Sequence, residues 1–119
     1  MNYQHNIDNY LKVIFPRHED ILLPTHTQVQ IIHYLVYGLQ PSGFLISVLM
    51  HNHKHAEIIA DVVNIRHLEK IYEFCDKHMP DKCTNTLENI SNWCKDVDNI
   101  RSDFVSEMDK KIVWMKLND

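Results

Sequence analysis

The sequence predicts an all-α protein, a small bundle of five to six short helices. Glycine and proline are scarce, 2 and 4 in 119 residues, whereas a β-sandwich needs turn residues between all its strands. Apolar residues recur every three to four positions through most of the chain, the period of an amphipathic helix. The stretches are separated by helix punctuation at Pro16, Gly38, Pro41, Gly43 and Pro80.

Residues 2–15 read as a first helix, with Ile7, Leu11, Ile14 and Phe15 on one face and Pro16 as its end. Residues 16–23 read as a connection, with Ile21 to Leu23 buried or briefly extended. Pro24-Thr25 opens a second helix, with Thr25 or Thr27 as its cap. Its inner stripe is Val29, Ile32, Leu35 and Val36, and Gly38 stops it in the C′ position. Ser42 is a natural N-cap for a helix carrying Phe44, Leu45, Val48 and Leu49. The polar run His51-Asn52-His53-Lys54-His55 either continues that helix or breaks it. A helical pattern resumes over 56–63, with Ile59, Val62 and Val63 expected inward. Asn64 is the expected cap of a helix carrying Leu68, Ile71, Tyr72 and Cys75, which ends before Pro80. After a loop over 80–84, Asn85 with Glu88 reads as a capping box. It opens a helix whose inner face is Leu87, Ile90, Trp93, Cys94 and Val97. The last helix, 102–117, carries Phe104, Val105, Met108, Ile112 and Met115 at helical spacing, a stripe that could dock on its own domain or on a second copy, and leaves Trp114 off it. An aromatic residue off the stripe is a candidate subunit contact, so a homo-oligomer is expected.

Composition bounds the function classes. The chain is 45% hydrophobic and 24% charged, ordinary for one globular domain spanning 1–119. Its net charge of −4 argues against general nucleic-acid binding, which needs a basic surface. Phe44 to Met50 is the longest apolar run, broken by Ser47 and too short to span a bilayer. The first eight residues carry Asn, Gln, His and Asp and lack the pattern of a signal peptide. Cys75, Cys83 and Cys94 form no CxxC pair and read as reduced thiols. The expectation is a cytoplasmic protein without a membrane partner.

The middle of the chain resembles a family of short phage and prophage proteins of unassigned function. The resemblance is carried by Leu23-Pro24-Thr25-His26-Thr27, by Tyr34 and Gly38, and by the run Pro41-Ser42-Gly43-Phe44-Leu45-Ile46-Ser47-Val48-Leu49. Ala56, Ala60-Asp61, Asn64, Ile71-Tyr72, Pro80, Cys83 and Trp93 extend it, so that it covers about residues 21–95. The family usually shows Asn-Asp-Leu where this chain has His51-Asn52-His53. Residues 101–119 look like a C-terminal helical extension. The resemblance implies a phage accessory protein at work in the host-cell cytoplasm, and no known reaction.

No complete catalytic motif is present, and the reading is that the chain is not an enzyme. Ser42 and Ser47 lack a nucleophile elbow, and Cys83 near His78 lacks a third group. The 9 histidines are unusual. In a helix, His51 and His55 share a face and could share a metal, while His53 points away. Lys54 stands where a metallohydrolase would carry an acid, so no metal or other cofactor is expected. The start of the Ser42-capped helix could take a phosphate, because Gly43 allows close approach and free N–H groups attract anions. Tyr34, Tyr37, Phe44 and Tyr72 could stack on a base, although such residues are more often core. The expected ligand-binding set is His26, His33, Tyr37, Ser42, Gly43, Phe44, Lys54 and Arg66. The function expected is sequestration of a nucleotide-derived immune signal, with small chains building such pockets between subunits. The alternatives are an inhibitor that binds a host defence or nucleic-acid enzyme, and a small metal-dependent hydrolase.

Overall fold

Gly38 marks the corner around which the molecule is built. A computed structural model describes residues 7–16 and 22–118. The helices are α1 (Ile7–Ile14), α2 (Thr25–Tyr37), α3 (Gly43–Leu49), α4 (His53–Ile59), α5 (Val62–Ile65), α6 (Leu68–His78), α7 (Leu87–Lys95) and α8 (Ile100–Leu117). Every regular element among the described residues is helical. The expected all-α class holds, with eight α-helices among the described residues in place of five to six. Residues 2–6 of the expected first helix, and residues 17–21 of the connection after it, lie outside the described residues.

Helix α2 forms the centre, packed by α1, α7 and α8, while α3 lies against α4 and α6. Ile31, Ile32, Tyr34 and Leu35 are almost fully buried, a broader inner face than one stripe, and Val29 is only half-buried. The Tyr34 hydroxyl donates to the Cys83 carbonyl at 2.7 Å, and the Trp93 indole N–H donates to the Tyr34 and Leu35 carbonyls at 3.2 and 3.3 Å. Buried polar groups are therefore partnered, as a low-dielectric interior requires. Phe15 stacks on Phe74, with ring centroids 4.7 Å apart. Helix α8 adds Met108 and Ile112 to the same core, and the Tyr10 hydroxyl donates to Asp109 at 2.7 Å, joining α1 to α8.

At its C-terminus, α2 ends as expected. Gly38 adopts φ 67°, its N–H donates to Tyr34, and the Leu39 N–H donates to the His33 carbonyl. Gly38 has a second duty. A Cβ there would lie 2.6 Å from Arg101 Nε. The Arg101 guanidinium passes through that space to donate to the Val36 carbonyl at 3.0 Å and the Trp93 carbonyl at 3.1 Å. One cation thus serves the carbonyl ends of α2 and α7, where helix dipoles favour positive charge.

Several local expectations are corrected. Neither Thr25 nor Thr27 caps α2: Pro24 occupies the cap position, and its carbonyl accepts from Thr27 and Gln28. Thr27 is buried, and its hydroxyl bonds to the Asn64 side chain. Asn64 therefore lies inside α5 instead of capping α6. The run 51–55 breaks the chain at His51, with φ 60°, and Asn52 caps α4 by accepting from the His55 N–H. The single helix expected over 56–63 is two, because Ala60 is extended and the Asp61 side chain caps α5 by accepting from the Asn64 N–H at 2.7 Å. That break turns Ala56 and Asn64 inward and leaves Ile59, Val62 and Val63 exposed. Thr86, not Asn85, caps α7, and Asn85 sits outside it with φ 79°. Leu87, at the first position of α7, and Val97, beyond its end at Lys95 where Asp96 turns left-handed, are both exposed. Helix α8 begins at Ile100, not Ser102, held by Asp96, which accepts from the N–H groups of Arg101 and Ser102 at 2.9 Å.

Candidate functional site

Four polar and aromatic residues of α2 fall at spacings of four, three and four: His26, Gln30, His33 and Tyr37. Helical geometry places such positions on one ridge, about 16 Å long at ~1.5 Å per residue. Three of them belong to the expected binding set. Gln30 was missed, although its spacing from His26 and His33 carries the signal.

The ridge is tied to its neighbours along its length. At its start, His26 Nε2 lies 3.2 Å from Asp61 Oδ2. The Asn64 N–H foremost, and His26 after it, hold the Asp61 carboxyl below the usual range, against partial desolvation. In the middle, the Ser42 hydroxyl donates to Gln30 Oε1 at 3.0 Å while Ser42 Oγ accepts from the Leu45 N–H at 3.3 Å. Ser42 is therefore the α3 cap that the sequence indicates and a neighbour of the ridge as well. At its end, the Tyr37 ring meets His33 edge-on at 6.2 Å and Tyr10 at 6.3 Å.

The other expected residues divide. Gly43 borders the ridge through Ser42, and a Cβ on it would meet Ile59 Cδ1 at 3.7 Å, so the α3 start faces α4. Phe44 is buried in the core beneath it and offers no face to a ligand. Lys54 and Arg66 are exposed, on α4 and just after α5, with no described contact to the ridge. His51 lies outside any helix, so the one-face pairing with His55 does not form, and His55 is exposed on α4.

The hydroxyl and thiol groups weighed as nucleophiles have local partners. The Ser47 hydroxyl donates to the Gly43 carbonyl at 3.0 Å, and the Cys83 thiol to the Pro80 carbonyl at 3.0 Å. Burial pushes the Cys75 and Cys83 thiols well above the ordinary cysteine value, and Cys94 upward as well, which disfavours the reactive thiolate.

Three clefts run between described residues. One of about 380 Å³ lies against Ile46, Leu87, Ile90 and Cys94. One of about 280 Å³ lies between Ile14, Leu35, His78 and Phe104, and one of about 240 Å³ lies against Val36, Arg101 and Asp109. None of the three includes a ridge residue. Beside the ridge instead lies an uncovered apolar face: Ile58 is 71% exposed, Ile59 38%, Val62 68%, Val63 48% and Ile65 47%. Asp61 sits among them, so this face adjoins the His26 end of the ridge. At the far end of α8, Trp114 is 65% exposed and Leu117 79%. None of the described helices is long and apolar enough to cross a membrane. Compared with known proteins, the chain matches no family model, no curated protein and no solved structure.

Proposed function

We propose that the chain is a binding protein that traps a small nucleotide-derived ligand at a site completed by a second copy of itself. The observation that carries this reading is the apolar face of α4 and α5 beside the polar ridge of α2. Five aliphatic side chains within residues 58–65 are exposed, and contiguous exposed apolar surface of this kind marks association. The ridge supplies the chemistry a nucleotide calls for: imidazoles and an amide for phosphate and base edges, and the exposed Tyr37 ring for stacking. A copy seated on the α4–α5 face would stand beside the His26 end of the ridge, where His26 meets Asp61, and would bring Lys54 and Arg66 to its border. The resemblance of residues 21–95 to short phage proteins supports a host-derived immune signal as the ligand.

The test is calorimetry against cyclic and ADP-ribose-derived nucleotides, with sedimentation of the same samples. The wild-type chain is expected to sediment as an oligomer and to bind one member of the panel. The Ile58→Asp/Val62→Asp variant is expected to sediment as a monomer and to lose that binding. A folded oligomer that binds none of the panel would remove the ligand assignment. A monomer that binds as tightly as the wild type would remove the shared site.

A further inference from the structure

The turn between α3 and α4 brings His51 and His53 to one side of α6, against Asp76. One donor atom from each of the three side chains can be chosen so that all lie within 4.8 Å of one another. The closest pair is His51 Nδ1 and Asp76 Oδ1, at 2.9 Å. This cluster does not belong to the α2 ridge, and the binding function proposed above does not use it.

Both histidines are held from outside. His51 is fixed by its left-handed backbone, φ 60°, an uncommon conformation for a non-glycine residue that tends to mark functional positions. Its other ring nitrogen, Nε2, donates to Asn85 Oδ1 at 2.6 Å. Asn85 is itself left-handed, and its N–H donates to the Leu49 carbonyl at 2.9 Å. The His53 ring lies flat on the Tyr72 ring, 3.8 Å away with 4° between planes, and the Tyr72 hydroxyl donates to the His53 carbonyl at 3.3 Å. Asp76 stands one turn after Tyr72 on α6, so one helix face carries both the platform for His53 and the carboxylate.

The hydrogen bonds set the chemistry between His51 and Asp76. With Nε2–H given to the Asn85 oxygen, a neutral imidazole turns the lone pair of Nδ1 toward the carboxylate. Two lone pairs at 2.9 Å repel unless a proton or a cation lies between them. A proton would need only these two partners. The third donor, His53, is brought to the same place and oriented by a stacked ring. That is the pattern of a metal site: an imidazole whose second nitrogen is bonded to an oxygen, with supported ligands beside it.

We infer that His51, His53 and Asp76 bind a divalent transition-metal ion of the zinc type. Two imidazoles and a carboxylate suit such an ion, whereas magnesium and calcium prefer oxygen donors. At bond lengths of ~2.0–2.1 Å, tetrahedral zinc sets its ligand atoms about 3.3 Å apart. The His51–Asp76 edge is already near that length, and His53, whose ligand atom lies within 4.8 Å of both, closes the triangle by a shift of at most about 1.5 Å. The His51 and Asp76 side chains are 45% and 41% exposed, so an ion reaches them from solvent and retains an open position for water or a ligand. Bound there, the ion would fasten the α3–α4 turn to α6 and, through Asn85, to the turn before α7.

The test is equilibrium dialysis of the untagged apoprotein against zinc chloride, with magnesium chloride as competitor and circular dichroism as a control for folding. One zinc ion per chain is expected, undisturbed by a large magnesium excess. His51→Gln, His53→Gln and Asp76→Asn are each expected to weaken binding at least tenfold, and Asn85→Ala by about 10–100-fold through the orientation of His51. His55→Gln, which removes the histidine left out of the cluster, is expected to bind as the wild type does. Absence of saturable zinc binding would overturn the site. So would binding that survives His53→Gln and Asp76→Asn, or a loss equally large in His55→Gln. Substituted cobalt gives an independent readout: intense tetrahedral absorption bands are expected, and the weak bands of a six-coordinate ion would contradict the assigned geometry.

Discussion

Gly38 meets two demands that no other residue type satisfies together. Its φ of 67° is left-handed, and a Cβ would collide with the Arg101 guanidinium at 2.6 Å. Replacing it by alanine is therefore expected to destabilise the fold by more than about 1 kcal/mol, read as a lower midpoint in urea with an unchanged slope. Asp96 plays a comparable part at the other end of the same corner. The Ser102 hydroxyl, and then the Ser102 and Arg101 amides, hold its carboxyl below the usual range. A carboxyl lowered by folding contributes stability above its unfolded pKa of about 3.9 and loses that contribution as the pH falls through its lower folded value. Asp61, lowered at the start of α5, acts with the same sign. The melting temperature is thus expected to drop on acidification below about pH 4. The drop should be shallower in Asp96→Asn, which keeps an acceptor oxygen and tolerance of the left-handed turn.

Among the elements, α3, α4 and α5 show how capping and burial divide the work. Helix α3 has only the residues 43–49, too few to be stable alone, and it depends on the Ser42 cap and on burial of Phe44, Leu45, Val48 and Leu49. Ser42→Ala is expected to cost about 1 kcal/mol, the usual value of an N-cap, measured by chemical denaturation. Helices α4 and α5 behave differently. They bury Ala56 and Asn64 and turn their large aliphatic side chains outward. Truncating those side chains removes little from the single chain. Ile58→Ser and Val62→Ser are each expected to stay within about 0.5 kcal/mol of wild type in a monomeric background, yet together to dissociate the oligomer in sedimentation. An equal loss of chain stability and assembly would show that the face belongs to the core.

Seen whole, the molecule measures 43 × 32 × 19 Å, and its short dimension is about two helix diameters. A body two helices thick has no further layer to cover every apolar face, and α4–α5 is the face left over. The sequence made much of the fold legible. Periodicity marked the inner residues of α3 and α6 and most of those of α8, and Gly38 and Ser42 marked the end of α2 and the start of α3, because burial and capping leave local signatures. The exposed face was not legible: Ile58, Ile59, Val62 and Val63 fit a helical stripe, and only the competition of the Asp61 side chain for the Asn64 N–H splits it. Nor did spacing reveal the partners His51, His53 and Asp76, since the pairing rests on a left-handed residue and on a helix distant in sequence. The candidate ridge was legible in part. His26, His33 and Tyr37 share a ridge through helical spacing alone, whereas Phe44 went to the core because its position on α3 faces inward.

The central claim, a ligand trapped at a site shared between copies, is tested most directly by native mass spectrometry. The untagged protein would be isolated from phage-infected cells that are mounting a defence response. The expected result is an oligomer heavier than the sum of its chains, which on denaturation releases an ultraviolet-absorbing small molecule. A spectrum of bare monomers, with no released molecule, would contradict it.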